Sequence, residues 1–410
     1  MRVAFVTPRY GEEIVGGAEA AMRMIAERLV SQLGWSVEAI TTCASDYMSW
    51  DNDLPPGESE LNGVRVRRFP VSHRRSLEFD LLTEQILPAP HRASLADSDR
   101  WVDLQGPRSP ELLDALAASD ADVVSFSPYL YYPTVWGIPL VARRSIFHPA
   151  AHDEAPIYLP SFRETFASAA GFVFNAAWER SFVQQLFNVA GRPQLTLGLG
   201  VDDPPDGVVP PGAYIELPAV AALSGRPYLS CVGRVDSGGK GTTRLVEMFS
   251  AYKAQNPGPL ALALVGPVII APPEHPDVFV LGQVTENVKW SVIDASIALV
   301  APSWFESFNI ALMEAWSRGR PAIVNGHCAA TSEQCELSGA GLTYLDDQDF
   351  ERVVNRLLED EDLRGELGRR GSSYVDANFR WPGLIERWGR FAEEVAERGA
   401  AVHQVRRKPA

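Results

Sequence analysis

Short apolar or alternating runs take turns with longer stretches of helical period from the first residues onward. Residues 2–7 predict a strand, 18–33 a helix, and 37–42, 64–69 and 122–126 further strands. In the first helix Ala18, Ala21, Met22, Ile25, Ala26 and Leu29 recur at the spacing of a single buried stripe. Such alternation predicts a parallel sheet wrapped by helices. A second series of the same kind comes later, with strands at 228–232, 261–265, 278–281, 297–301 and 322–324. Between the two series lies DPPDGVVPPG, whose prolines cannot continue a helix or sit in a central strand. The chain is therefore divided into residues 1–202, a linker at 203–212, a second domain at 213–380, a last helix at 381–398 and a tail at 399–410. That helix carries a stripe of Leu384, Ile385, Trp388, Phe391 and Val395, which needs a surface to dock on. Residues 42–64 and 76–110 lose the pattern among Pro, Gly, Asp and Ser, and are expected to leave the sheet as irregular excursions beside an acceptor site.

Composition narrows the class. With 410 residues, two domains fit better than one, and 46% hydrophobic and 22% charged residues are ordinary for a globular protein. No apolar run reaches the length of a membrane span, and no secretory signal is visible. Cys43, Cys231, Cys328 and Cys335 form no metal-ligand pattern, so free thiols in a cytoplasmic protein are expected. A net charge of −15 argues against nucleic acid as a partner. The local exception is Arg65, Arg67, Arg68, His73, Arg74 and Arg75. This cluster has three readings: an anionic acceptor site, a peripheral contact with the inner face of a membrane, or the solvated face of a strand.

Candidate chemistry gathers in the second half. In APSWFESFNIALMEAWSRGRP a buried strand ends at Ala301, a turn comes next, and an apolar helix runs toward Gly319 and Pro321. Ligands of open α/β sheets bind at such carboxyl edges. Glu314 is a carboxylate inside an apolar helix and so calls for a donor, while Glu306 stands eight residues earlier at the helix approach. The two can bracket one elongated ligand; equally, Glu306 can serve the helix dipole and Glu314 snorkel at the helix edge. Upstream, CVGRVDSGGKG places Arg234 and Lys240 around a glycine-rich loop whose amides can approach an anion. The chain has four lysines against thirty-three arginines, which gives a lysine in that loop added weight. The Walker spacing is absent, so a P-loop ATPase is not supported.

The run Pro302-Ser303, Glu306-Ser307-Phe308, Glu314-Ala315 and Gly319-x-Pro321 resembles the Glu-x7-Glu signature of retaining GT-B glycosyltransferases of family 4. The Gly233-Arg234 and Lys240-Gly241 pair resembles that family's diphosphate clamp, with one extra residue between its cations. The resemblance implies an α/β protein of GT-B type, with two doubly wound Rossmann-like domains facing each other across a cleft. It implies a nucleoside-diphosphate sugar as donor, UDP- or GDP-linked, a hydroxyl acceptor, and no cofactor or metal. Glu306 would lie by the donor sugar, Glu314 by the ribose, Arg234 and Lys240 by the diphosphate, and Ser307, Phe308, Asn309 and Ile310 would offer helix-start amides. Asn309 departs from the glycine usual after the aromatic position.

In the first half, Gly16 and Gly17 open the first helix, where the family often carries a Gly-Gly facing the donor; a plain tight turn is the alternative. No dinucleotide fingerprint is present, which counts against a dehydrogenase. FHPAAHDEAP holds His148, His152, Asp153 and Glu154, but three adjacent loop residues do not converge on one ion, so no metal site is expected. The resemblance implies a histidine in this loop near the reacting centre; His152 is taken over His148. Asn175 and Glu179 match a strand-to-helix turn of structural role. Rival readings are a GT-B sugar-nucleotide epimerase or phosphorylase, separable by acceptor-independent release of sugar, and a non-catalytic nucleotide-sugar binder.

Overall fold

The computed structural model describes residues 1–14 and 17–407, with side chains to 401, and divides them into two compact units. The first is Met1–Gly198 with Pro382–Ala410, and the second Leu199–Trp381. The chain thus passes between units at 198/199 and 381/382, and residues 203–212 lie inside the second unit, where Asp203 pairs with Arg380 at 3.0 Å.

The first unit is built on β1 (Arg2–Val6), β2 (Ser36–Thr42), β3 (Gly57–Leu61), β4 (Val64–Phe69), β5 (Val123–Phe126), β6 (Ser145–Phe147), β7 (Gly171–Phe174) and β8 (Gln194–Thr196). Their order across the sheet is β3-β4-β2-β1-β5-β6-β7-β8, parallel except for the β3/β4 hairpin. That hairpin turns through Asn62 and Gly63, at φ 49° and 81°, the positive pair that Asn-Gly supplies at low cost. The central strands β1, β5, β6 and β7 are buried along nearly their whole length, as helices on both faces require.

Two expectations need correction here. Residues 76–110 are not irregular: they form helices Leu77–Ile86 and Leu95–Gln105. Leu82, Ile86, Trp101 and Val102 are buried, and Phe79 packs on Trp101 at 5.6 Å. Each helix is short and carries three acidic residues, Glu78, Asp80 and Glu84 in the first and Asp97, Asp99 and Asp103 in the second, so its stripe is diluted. The last helix is also longer than expected. It runs Trp381–Arg407, so residues 399–407 continue it and residues 408–410 lie outside the described residues. Its stripe is buried in the first unit, with Trp388 stacked on Phe5 at 5.5 Å and Val395 against Gly171.

The second unit carries β9 (Tyr228–Val232), β10 (Ala261–Val265), β11 (Val278–Gly282), β12 (Ala298–Ala301), β13 (Ala322–Asn325) and β14 (Gly341–Tyr344). All are parallel, in the order β11-β10-β9-β12-β13-β14. Connections leave the carboxyl ends of β9 and β12 side by side, because these two strands are paired neighbours. Both motifs singled out in the sequence sit on those two connections.

Candidate functional site

After β9 the chain turns at Gly233, φ 148°, against Gly266, where a Cβ would lie 2.1 Å from the Gly233 carbonyl oxygen. Asp236, which the sequence motifs did not single out, organises the glycine-rich loop. It receives Arg234 Nε at 2.7 Å on Oδ2 and the Gly238 N–H at 3.1 Å on Oδ1. Its own N–H donates to Thr242 Oγ1 at 2.7 Å, and that hydroxyl donates to the Asp236 carbonyl at 2.8 Å. An aspartate two residues ahead of Gly-Gly is an Asx-turn signal, and it was available in the sequence.

The loop then meets the turn after β12. The Trp304 N–H donates to the Gly239 carbonyl at 2.8 Å, and Gly241, φ 68°, lies so close to Pro302 that a Cβ would stand 2.5 Å from its carbonyl oxygen. Across this contact Lys240 Nζ donates to Glu306 Oε1 at 2.6 Å. The same oxygen accepts Ser303 Oγ at 2.9 Å and Asn309 Nδ2 at 3.4 Å. The cation of one motif and the first carboxylate of the other are therefore direct partners, although 66 positions separate them in the chain.

Asn309 accounts for its own departure from glycine. It holds φ 87° and ψ 89°, a backbone state open to glycine and, among side-chain-bearing residues, most readily to Asn and Asp. Its Oδ1 caps helix Ile310–Ser317 by accepting the Leu312 N–H at 3.0 Å, while its Nδ2 reaches Glu306. We expect Asn309→Gly to cost less than about 1 kcal/mol and Asn309→Ala about 1–3 kcal/mol, since alanine loses the cap and meets the positive φ. Denaturant unfolding of both variants checks this, and equal costs would contradict the backbone account. Phe308 is 1% exposed and packs edge-on against Phe379 at 5.0 Å, so its ring belongs to the core and only its main chain is left to meet a ligand. Ser307 and Ile310 are half-buried.

Glu314, one side of an otherwise apolar helix, has the partner its burial demands. Lys289 Nζ, from helix Glu286–Ala295, lies 2.8 Å from its Oε1 and 2.7 Å from Glu286. Burial pushes the Glu314 carboxyl up, while Lys289 acts in the opposite direction. The lysine is raised by Glu314 and Glu286 against its own burial, and an ammonium between two carboxylates is read as an ion pair. Lysine scarcity could have flagged this residue: Lys240, Lys253 and Lys289 each pair with a carboxylate of the second unit.

In the first unit, Gly16 lies outside the described residues. Gly17 begins helix Gly17–Leu33, and a Cβ there would meet nothing within 4 Å. Beside it, Arg9 and Glu19 form a two-pronged buried ion pair, Nε to Oε1 and Nη2 to Oε2, both 2.7 Å. The loop after β6 separates its histidines. His148 is 3% exposed, accepts the Trp388 indole N–H at 3.2 Å, and is pushed down to about 3 by burial, so it is a neutral core residue. His152 is partly exposed, with Nδ1 3.3 Å from Glu154. Glu179 anchors this loop. Its carboxylate, wholly buried, accepts the Ala151 N–H at 2.7 Å and the Asn175 N–H at 2.6 Å. Burial pushes Glu179 up to about 8, and its backbone donors pull the other way.

The arginine cluster largely dissolves into local partners. Arg65 and Arg67 pair with Glu58, Arg67 also with Glu38, Arg74 with Asp51, and Arg68 donates to Ser59 Oγ and the Tyr10 carbonyl. Among the described residues there is no group of three or more His, Cys, Asp or Glu side chains placed to hold a metal, and no helix long and apolar enough to cross a membrane.

Two doubly wound α/β units of this kind, with paired strand-to-helix motifs on the second sheet, define a GT-B fold. A family model described as Glycosyl transferases group 1 matches residues 226–360, within the second unit. Solved structures of the same fold include a sucrose-phosphate synthase from Thermosynechococcus elongatus, with TM-score 0.67 and 18% identity over 96% of this chain and 98% of that one. An α,α-trehalose 6-phosphate synthase from Burkholderia multivorans gives 0.69 and 13% over 97% and 98%. An Anabaena protein solved in complex with UDP and glucose gives 0.65 and 13% over 96% and 100%. No curated protein sequence matches the chain.

Proposed function

We propose that this chain is a retaining glycosyltransferase that moves a sugar from a UDP- or GDP-linked donor to a hydroxyl acceptor. The observation that carries the reading is the 2.6 Å contact of Lys240 with Glu306, which brings the glycine-rich loop against that carboxylate and supports a diphosphate on the one and sugar hydroxyls on the other. Glu314, in the helix that follows the Glu306 turn, takes the ribose. In the proposed step the acceptor oxygen bonds to the anomeric carbon on the face that the diphosphate leaves. A donor phosphate oxygen takes the acceptor proton, and configuration is retained. Lys240 and Arg234 stabilise the charge that grows on the diphosphate, without a metal ion. Ser307, Asn309 and Ile310 contribute at the helix start, Gly17 and Gly233 give close main-chain approach, and His152 supports the reacting centre. The four cysteines are free and buried, which supports work in a reducing compartment such as the cytoplasm. With most of its arginines neutralised locally, the 65–75 segment gives no support to membrane contact.

A thermal-shift panel of UDP, GDP, ADP and dTDP, run with and without chelator, tests the reading. One nucleotide at about 100 times its Kd should add about 2.7 kcal/mol of stability, equally in both conditions. Stabilisation by none would sink the donor-site assignment, and stabilisation only without chelator would sink the metal-free version.

A further inference from the structure

Among the described residues, two arginines of the 65–75 segment have no carboxylate partner: Arg68, which donates to Ser59 Oγ and the Tyr10 carbonyl, and Arg75. Arg75 comes after β4 at the carboxyl edge of the first sheet, the edge at which open α/β sheets receive ligands. Its guanidinium lies 4.6 Å from the centre of the Phe79 ring and 5.6 Å from that of Trp50. Nη2 donates to the Gln105 side-chain oxygen at 2.8 Å and to the Gln105 carbonyl at 3.2 Å, and the Arg75 N–H is tied to the Ser49 carbonyl at 3.0 Å. Two rings and an amide thus fix the plane of the group. Its Nε is enclosed without a hydrogen-bond partner. Asp46 and Asp80 act on it only from a distance, together with Tyr47 and Tyr131, and burial lowers its proton affinity overall.

Arg9, at the same edge, shows what a satisfied guanidinium looks like in this unit: it has Glu19 on two prongs and its affinity for the proton is raised. A half-buried cation is costly unless an anion completes it, and with Nη2 given to Gln105 and Nε enclosed, Nη1 is the prong left to meet an oxyanion oxygen. Trp50 and Tyr131, edge to face at 5.4 Å, add an aromatic wall beside it.

We propose that Arg75 is the anchor of an oxyanion site in the first unit, and that the acceptor carries a phosphate ester or a carboxylate which this guanidinium binds. As a statement about the acceptor it rests on the glycosyltransferase reading; as an anion site it is independent of it.

Equilibrium binding without any donor tests it, by calorimetry with inorganic phosphate, glucose 6-phosphate, glucuronate and glucose. At least one anion is expected to bind and glucose is not. Preference for the phosphates or for glucuronate distinguishes the two sources of the oxyanion. Arg75→Gln should weaken binding at least tenfold, and Arg75→Lys, which keeps the charge but loses the planar group held against Phe79 and Gln105, by less. A melting curve reports whether each variant is folded; if the glutamine variant is not, the lysine variant alone must bind more weakly than the parent. Failure of every anion to bind the parent overturns the proposal. So does binding that survives Arg75→Gln and disappears in Arg234→Gln, which would place the anion on the donor loop. Absence of nucleoside diphosphate binding, by contrast, would overturn only the donor reading.

Discussion

Lys240→Met should lower kcat/KM by about 10²–10³, the usual loss when one preorganised donor to developing charge is removed. Glu306→Gln should cost a similar factor. The pair is joined at 2.6 Å, so the double variant should lose far less than the product of the two single losses. Steady-state kinetics on the four proteins measures this coupling. Strictly multiplicative losses would mean that the two side chains act separately, and the contact would then have no part in turnover. Structural damage is a weak alternative explanation, because the lysine is one-third exposed and the loop is held by Asp236, Thr242 and the main-chain contacts of Gly239 and Gly241.

Glu314→Ala is expected to have a double effect, abolishing measurable binding of nucleoside diphosphate and destabilising the second unit by about 3 kcal/mol. The loss of stability arises because Lys289, 16% exposed, would keep only Glu286, which is 67% exposed and a poor partner. For a domain of this size that corresponds to a fall in Tm of roughly 2–4 °C per kcal/mol. Replacing both members, Lys289→Met with Glu314→Met, should restore most of the stability and none of the binding, since no buried charge is left unpaired. A double variant as unstable as the single would refute the ion-pair account. One that binds nucleotide as the parent does would refute the ribose role.

Strands β1, β2, β4, β5 and β9 to β13 were legible, most of them as continuous apolar runs, and the helix beginning at Gly17 because its stripe is long; β6, β8 and β14, three or four residues each, were too short to stand out. Helices Leu77–Ile86 and Leu95–Gln105 escaped because each offers only a few buried positions among charged neighbours. The β3/β4 hairpin escaped although Asn62-Gly63 announces it. At the site, Glu306, Glu314, Arg234 and Lys240 could be picked out by residue type and spacing. Their partners could not, because Lys289 and Ser303 acquire meaning only when the packing of helix Glu286–Ala295 and the turn after β12 is known. Asn309 is the instructive case. Read by residue type it looked like a defect, and read by its φ of 87° it is a glycine substitute that also caps a helix and steadies a carboxylate.

The pairing of Lys240 with Glu306 also bears on which ligand can displace it. The loop's lysine has an internal counter-ion at 2.6 Å, and a bare phosphate has to compete with it. On the proposed reading, a complete sugar nucleotide replaces both halves of that contact, with phosphate oxygens for the ammonium and hydroxyls for the carboxylate. The spent nucleoside diphosphate replaces one half only. The carboxylate then acts as an internal competitor that favours ejection of the product once the sugar has gone, and weak product inhibition would be its kinetic trace.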